Sequence, residues 1–347
     1  MDFNDLLNMM IEHQASDLFV TAEVEPSMKI NGQIMPVAKT KLSGEVVGQL
    51  VNSIMSDKQR KEFADTRECN FAIMNKDKTA RFRVSAFQQR DEPGMILRRI
   101  ETVIPTPEQL KLPPILKDLA MTKRGIIIFV GATGTGKSTS LASLIGYRNQ
   151  NSKGHIITIE DPIEFVHQSK KALVNQRELH QHTHSFANAL KSALREDPDV
   201  ILVGEMRDPE TIGLALTAAE TGHLVFGTLH TTGAAKTVDR IVDVFPAGEK
   251  EMVRSMLSES LRAVISQTLL KTKDGSGRVA AHEIMLSTPA VRNLIRENKI
   301  AQIGSVMQTG QQHGMQTLDQ CLQNLVRRNQ ISIDMARSKA SNPDLIN

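Results

Sequence analysis

Eight residues, Gly131-Ala132-Thr133-Gly134-Thr135-Gly136-Lys137-Ser138, carry the spacing Gly-x4-Gly-Lys-Ser. They follow the apolar run Gly125-Ile126-Ile127-Ile128-Phe129-Val130 and lead into a helix-forming segment from Thr139 to Gln150. Strand, glycine-rich loop and helix in that order make a phosphate-binding loop. The glycines let the backbone curl until successive N–H groups face one anion. The helix that follows adds its unpaired N–H groups and its positive dipole end. Lys137 is long enough to reach β- and γ-phosphates, and the Ser138 hydroxyl is the expected Mg²⁺ ligand. Residues 131–138, with Thr139 in the first helical turn, are the expected cradle for a nucleoside triphosphate.

Phosphoryl transfer to water also needs an acid to manage the water and cations to meet developing charge. The run Thr158-Ile159-Glu160-Asp161-Pro162-Ile163-Glu164-Phe165 ends a second predicted strand with three carboxylates. Such acids are costly if buried without a cation, and ligands of open α/β sheets lie just outside these strand ends. A third strand, Asp199 to Val203, runs through Gly204 into Glu205, a buried strand delivering one carboxylate. Glu205 is the candidate for orienting and deprotonating the attacking water. In Thr221-Gly222-His223-Leu224-Val225-Phe226-Gly227-Thr228-Leu229-His230-Thr231-Thr232 two histidines bracket a fourth strand. His230 leaves it at the Glu205 end, where it can hydrogen-bond a γ-phosphate; packing is the competing role for both His223 and His230. Arg81 and Arg83 share one face of a strand and Arg98-Arg99 lie on the next, while Arg195, Arg207 and Arg240 are nearer the phosphate loop in the chain. An arginine aimed at the γ-phosphate is worth on the order of 10³–10⁵ in rate. His180, His182 and His184 have no cysteine or acid at ligand spacing and read as a polar loop rather than a zinc site.

The elements that position these groups fall into two regions. Residues 1–103 alternate short strands with helices: a helix over 3–12, strands at 19–21, 28–30 and 33–35 with a two-residue Asn31-Gly32 hairpin, helices near 44–55 and 57–63, then strands at 81–88 and 94–100. Residues 104–114 hold four prolines in a stiff linker. From 115 onward strands at 125–130, 155–160, 199–204, 223–229 and 264–270 alternate with helices, the pattern of a largely parallel sheet. From about 288 the chain is helical, over 288–297, 300–309 and 317–329.

Bulk properties narrow the functions. At 347 residues two domains are expected, and 40% hydrophobic with 23% charged residues is ordinary globular composition. A net charge of +3, no Trp and one Tyr argue against a nucleic-acid translocase. Cys69 and Cys321 form no CxxC pair and suit a reducing compartment. Neither a signal peptide nor an apolar run of ~20 residues is present, so the expectation is a cytoplasmic chain with no direct membrane insertion.

Taken together, TIEDPIEF (158–165), LREDPD (194–199), ILVGEMRD (201–208), AAETGHLVFGTLHTT (218–232) and AVRNLIRE (290–297) make the chain resemble the PilT/PilU family of type IV pilus retraction ATPases. That family belongs to the secretion ATPase superfamily, and the resemblance runs from Ala15-Ser16-Asp17-Leu18 over nearly the whole chain. It implies an α/β fold: a PAS-like α+β N-terminal domain, then a RecA-like P-loop ATPase domain with a helical C-terminal region. It implies Mg-ATP as ligand, a homo-hexamer, an inner-membrane pilus platform protein as partner, and a place at the inner face of the inner membrane. By position, Glu205 matches the family's catalytic glutamate, and Glu160 and Glu164 match its Asp-box acids. His223 and His230 match its His box, while Arg83 and Arg98 match its phosphate-contacting N-terminal arginines. Residues 290–297 match a helix associated with retraction. The implied activity is ATP-driven pilus retraction; the alternative is an accessory subunit, like PilU, that acts only with a PilT partner. Gly131 to Gly136 and Leu97 to Thr102 resemble the PilU branch, whereas Val174 to Glu178, Leu194 to Pro198 and the His box resemble the PilT branch. A hybrid joined near 158–165 and a divergent member of one lineage both fit, and the ring could be mixed with either paralogue.

Overall fold

In a computed structural model, residues 3–30, 32–77, 79–100, 103–275 and 277–346 are described. They divide into two compact units, Met1–Val103 and Ile104–Asn347.

In the first unit, α1 (Phe3–Glu12) precedes β1 (Asp17–Thr21), β2 (Ser27–Ile30) and β3 (Gln33–Pro36). Next come α2 (Gly44–Ser53), α3 (Asp57–Thr66), β4 (Glu68–Met74), β5 (Arg81–Gln89) and β6 (Glu92–Ile100). All six strands join one antiparallel sheet in the order β3-β2-β1-β6-β5-β4. Asn31 lies outside the described residues, but Ile30 opposite Gln33 is the register of a two-residue connection. One face of the sheet is apolar because β5 alternates: Phe82, Val84 and Ala86 are buried while Arg83 faces out. Leu6, Leu7 and Met10 of α1 and Val47 and Val51 of α2 complete that core. Side-chain caps start two of the helices. Ser43 caps α2, and Ser56 with Gln59 forms a capping box on α3.

The second unit begins with α4 (Pro114–Ala120), β7 (Gly125–Val130), α5 (Lys137–Asn151), β8 (Gly154–Glu160) and β9 (Ala172–Glu178). It continues with α6 (Phe186–Ala193), β10 (Val200–Val203), α7 (Pro209–Glu220), β11 (Leu224–Leu229), α8 (Ala234–Asp243) and α9 (Lys250–Ser260). The long strands β12 (Leu261–Lys271) and β13 (Arg278–Leu286) follow, then α10 (Pro289–Arg296), α11 (Ile303–Thr309), α12 (Leu318–Arg327) and α13 (Ile333–Arg337). Seven strands form one sheet in the order β13-β12-β7-β11-β10-β8-β9, parallel throughout except for β12 with β13. Strands β7, β10 and β11 are buried at every position, which is why they stand out as unbroken apolar runs. Helices cover both faces. Phe129 and Phe226 lie under α4 and α5, and Ile128, Val203 and Val225 lie under α6 to α9. The proline-rich stretch before α4 sits with this unit, and Leu112 is buried in its core. Two strands of this unit, like β4 (Glu68–Met74) of the first, were not anticipated. In β9 the sequence ALVNQRE has only a short apolar start, and β13 carries Arg278, His282 and Glu283. Pairing with β8 and β12 overrides those weak local signals.

Candidate functional site: a phosphate loop with an ion-paired glutamate

Parallel order brings the C-terminal ends of β7, β8, β10 and β11 to one edge of the sheet, so the loops after them are neighbours. The loop after β7 curls through positive φ at Gly131, Gly134 and Gly136 before α5 begins at Lys137. At two of these positions only glycine fits. A Cβ on Gly131 would lie 2.4 Å from the Gln267 carbonyl oxygen, and one on Gly136 would lie 2.9 Å from Gln267 Nε2. Gln267 belongs to β12, so the neighbouring strand backs the loop. The Lys137 ammonium, itself buried, donates to the carbonyls of Gly131 (2.6 Å) and Ala132 (3.0 Å). Burial lowers its pKa, while the charges of Glu205 and Glu164 act in the opposite sense. The lysine thus feels the charge of both carboxylates, although its hydrogen bonds go to the loop carbonyls. Ser138 is exposed in the first turn of α5, where its hydroxyl is free to serve a ligand.

The carboxylate of Glu205 lies just past β10. Gly204 N–H donates to Ile159 O (2.7 Å) and Met206 N–H to Thr228 O (2.9 Å), which ties this turn to the strands on both sides. Arg207 grips the carboxylate in a fork, with Nε 2.6 Å from Oε1 and a terminal nitrogen 2.6 Å from Oε2. His230 Nε2 lies 3.2 Å from Oε1. Burial raises the Glu205 pKa, but the hydrogen bond from Arg207 and the His230 and Arg207 charges outweigh it and leave the group below its ordinary value. Glu205 is thus held ionised and aimed, ready to accept hydrogen bonds from a water. Glu160 behaves in the opposite way. It accepts from Thr158 Oγ1 (2.6 Å) and Gln176 Nε2 (3.0 Å), yet burial pushes its carboxyl up to about 7. Two acids at one edge therefore differ in charge state near neutral pH.

The chain is similar to known proteins. Residues 2–338 match the family described as Type II/IV secretion system protein. A "Twitching motility protein" of Neisseria gonorrhoeae is 63% identical over 319 residues, which is 92% of this chain and 85% of that protein. The "Type IV pilus retractation ATPase PilT" of Pseudomonas aeruginosa is 56% identical over 344 residues, 99% of either chain. The chain belongs to the type II/IV secretion system protein family. A solved structure of the pilus retraction motor PilT with bound ADP superposes with a TM-score of 0.93 at 44% identity, over 99% of this chain and 98% of that one.

As a secretion ATPase, the chain places its remaining candidates unequally. Glu164 is exposed beside the Lys137 site. His223 precedes β11 and therefore lies at the opposite edge of the sheet, roughly 20 Å from His230 at ~3.3 Å per strand residue. Its Nδ1 lies 2.9 Å from Ala218 O at the end of α7. Arg195 precedes β10 and also belongs to that far edge. In the first unit Arg83 and Arg98 are direct cross-strand partners on β5 and β6, both exposed on the polar face. Like charges so placed repel, and Arg98 is offset by buried Asp17, whose Oδ1 is 2.8 Å from its Nε. Among the described residues no trio of His, Cys, Asp or Glu is placed to hold a metal. His182 Nδ1 instead accepts the Glu178 N–H at 2.8 Å. Sequence reasoning noted Arg207 only as a nearby cation and missed Gln267 altogether, because both roles depend on which side chains the strands bring together. It also missed a cleft of about 1040 Å³ beside the loop, lined in part by Leu110, Leu112, Gly136, Leu269, Val279 and Gln330.

Proposed function

We propose that this chain is the Mg²⁺-dependent ATPase subunit of a ring-shaped motor that powers type IV pilus retraction. The observation that carries the reading is the ionised Glu205, gripped by Arg207 and His230, at the same strand edge as the phosphate loop and Lys137. ATP lays its phosphates in the 131–138 loop, with the Lys137 ammonium transferring from loop carbonyls to phosphate oxygens and Thr139 near the α-phosphate. The purine enters the cleft walled by Leu110, Leu112, Leu269 and Val279, which supply an apolar surface for a flat base.

The residues present fit Mg²⁺: one exposed hydroxyl at Ser138, with no protein cage among the described residues, suits an ion that keeps its waters and phosphate oxygens. Bound there, it would neutralise charge building on the γ-phosphate. Glu205 orients the attacking water and takes its proton; ADP and inorganic phosphate leave. His230, next to that carboxylate, reports whether the γ-phosphate is present, and Glu160 and Glu164 line the water's approach. Arg83 and Arg98, a paired cation site on the polar face of the first unit, complete a neighbouring subunit's site in a homo-hexamer. Mixed rings with a paralogue, an inner-membrane platform protein as load, and a cytoplasmic position at that membrane complete the proposal. Among the described residues no helix is long and apolar enough to cross a membrane.

Phosphate release by the purified chain, with and without Mg²⁺, and the particle mass on the same sample test this. Mg-dependent turnover by a hexamer that Lys137→Ala abolishes is expected. ATP binding without turnover until a second paralogue is added would instead identify an accessory subunit.

A further inference from the structure

We infer that Gln267, which lies outside the phosphate loop and outside the acidic and histidine segments, is a positioning residue that presets this loop for phosphate. Gln267 on β12 stands directly opposite His282 on β13, and both are almost wholly buried, as is Ser140 on α5. Its amide nitrogen donates to the Thr135 carbonyl at 2.8 Å. Its amide oxygen accepts from Ser140 Oγ at 2.9 Å and lies 3.2 Å from His282 Nε2.

Donor logic makes this orientation unique. The Thr135 carbonyl can only accept, so the amide nitrogen must face it. The amide oxygen is then left with two donors, which requires His282 to carry its proton on Nε2. Burial keeps that imidazole neutral, pushing its pKa down to about 4, so a single proton serves across the working pH range. His282 is in turn fixed from the C-terminal region: its backbone N–H donates to Cys321 Sγ on α12 at 3.4 Å, and Nε2 of Gln316, just before that helix, donates to its carbonyl at 2.8 Å.

The consequence for the loop follows from peptide geometry. The carbonyl and N–H of one trans peptide point in opposite directions. Anchoring the Thr135 carbonyl on Gln267 therefore turns the Gly136 N–H away from β12, towards the side from which a phosphate is met. The same residue backs the loop at its other end, where its own carbonyl oxygen occupies the space a Cβ on Gly131 would need. A loop held in this way binds phosphate without first ordering its N–H groups, which is preorganisation in the strict sense.

Gln267→Met keeps length and volume but neither donates nor accepts a strong hydrogen bond. The full-length protein and this variant are titrated with ADP by calorimetry, and KM and kcat for ATP are measured on the same preparations. ADP binding is expected to weaken about tenfold, equivalent to about 1.4 kcal/mol. KM should rise by a similar factor, with kcat at saturation within about threefold of the parent. Unchanged ADP affinity, or a fall in kcat with KM untouched, would overturn the role. Should Gln267→Met fail to fold, Ser140→Ala decides: a weakening of about threefold in ADP binding supports the network, and parental affinity overturns it. The inference rests on the nucleotide-binding reading. A parent protein that binds no ADP removes that reading, whereas a parent that binds beside unaffected variants removes only the part played by Gln267.

Discussion

Replacing Glu160 with Gln should make the ATPase unit more stable in mild alkali and slightly less stable in acid. Burial pushes the Glu160 carboxyl from 4.5 to about 7. A carboxyl with a raised folded-state pKa keeps its proton longer in the folded chain. Folding is therefore undisturbed below pH 4.5 and loses stability as pH rises to about 7, where the native chain must hold a buried charge. At about 1.4 kcal/mol per pH unit, the full cost is about 3 kcal/mol. Glutamine retains the bonds from Thr158 and Gln176 through its carbonyl oxygen and never ionises. It loses the weaker support that the Glu164 N–H gives a carboxylate, which is worth about 1 kcal/mol. The net gain at pH 8 is about 2 kcal/mol, the two chains are nearly equal near pH 5, and at pH 4 the variant is about 1 kcal/mol worse. For a unit of this size each kcal/mol moves Tm by roughly 2–4 °C. Thermal unfolding at pH 8 and pH 4 would then show Tm raised by roughly 4–8 °C at pH 8 and lowered by roughly 2–4 °C at pH 4. A variant that melts below the parent at pH 8, or differs by the same amount at both pH values, would refute the buried-carboxyl reasoning.

Two further substitutions test the site itself. Arg207→Ala removes the fork that holds Glu205 below its ordinary pKa, so Glu205 takes up a proton at higher pH. The acid limb of the kcat profile should move upward, and a profile that stays put would detach Arg207 from the chemistry. Gly136→Ala places a Cβ 2.9 Å from Gln267 Nε2 at a backbone φ of +85°, at a cost of about 1–2 kcal/mol before any clash is relieved. A fall of at least about tenfold in ADP affinity by calorimetry is expected, and parental affinity would contradict the loop geometry.

The gathering of these groups at one edge of the sheet was legible in the sequence because each part is local. A buried parallel strand reads as an apolar run, and the first polar residues after it are delivered to the ligand side. Val130 into Gly131, Ile159 into Glu160, Val203 into Glu205 and Leu229 into His230 all obey that rule. What stayed hidden depends on register between distant segments. Gln267 meets His282 only because β12 and β13 pair with that alignment, and it meets Thr135 only because β12 lies beside β7. The acidic fork at Glu205 was half visible: Arg207 lies two residues away, but nothing local says that its guanidinium folds back onto the carboxylate. His223 shows the opposite failure. A histidine beside a glycine at the start of a strand looks like its counterpart at the end, and only the strand's direction separates them.

The most direct measurement compares ATP hydrolysis and ADP binding for the parent and Glu205→Gln. Glutamine keeps the shape of the side chain and removes its ability to accept a proton. Loss of turnover by about 10³-fold or more, with ADP affinity within a few-fold of the parent, is the expected result. Turnover that survives Glu205→Gln would contradict the central claim that this carboxylate, held by Arg207 and His230, manages the attacking water.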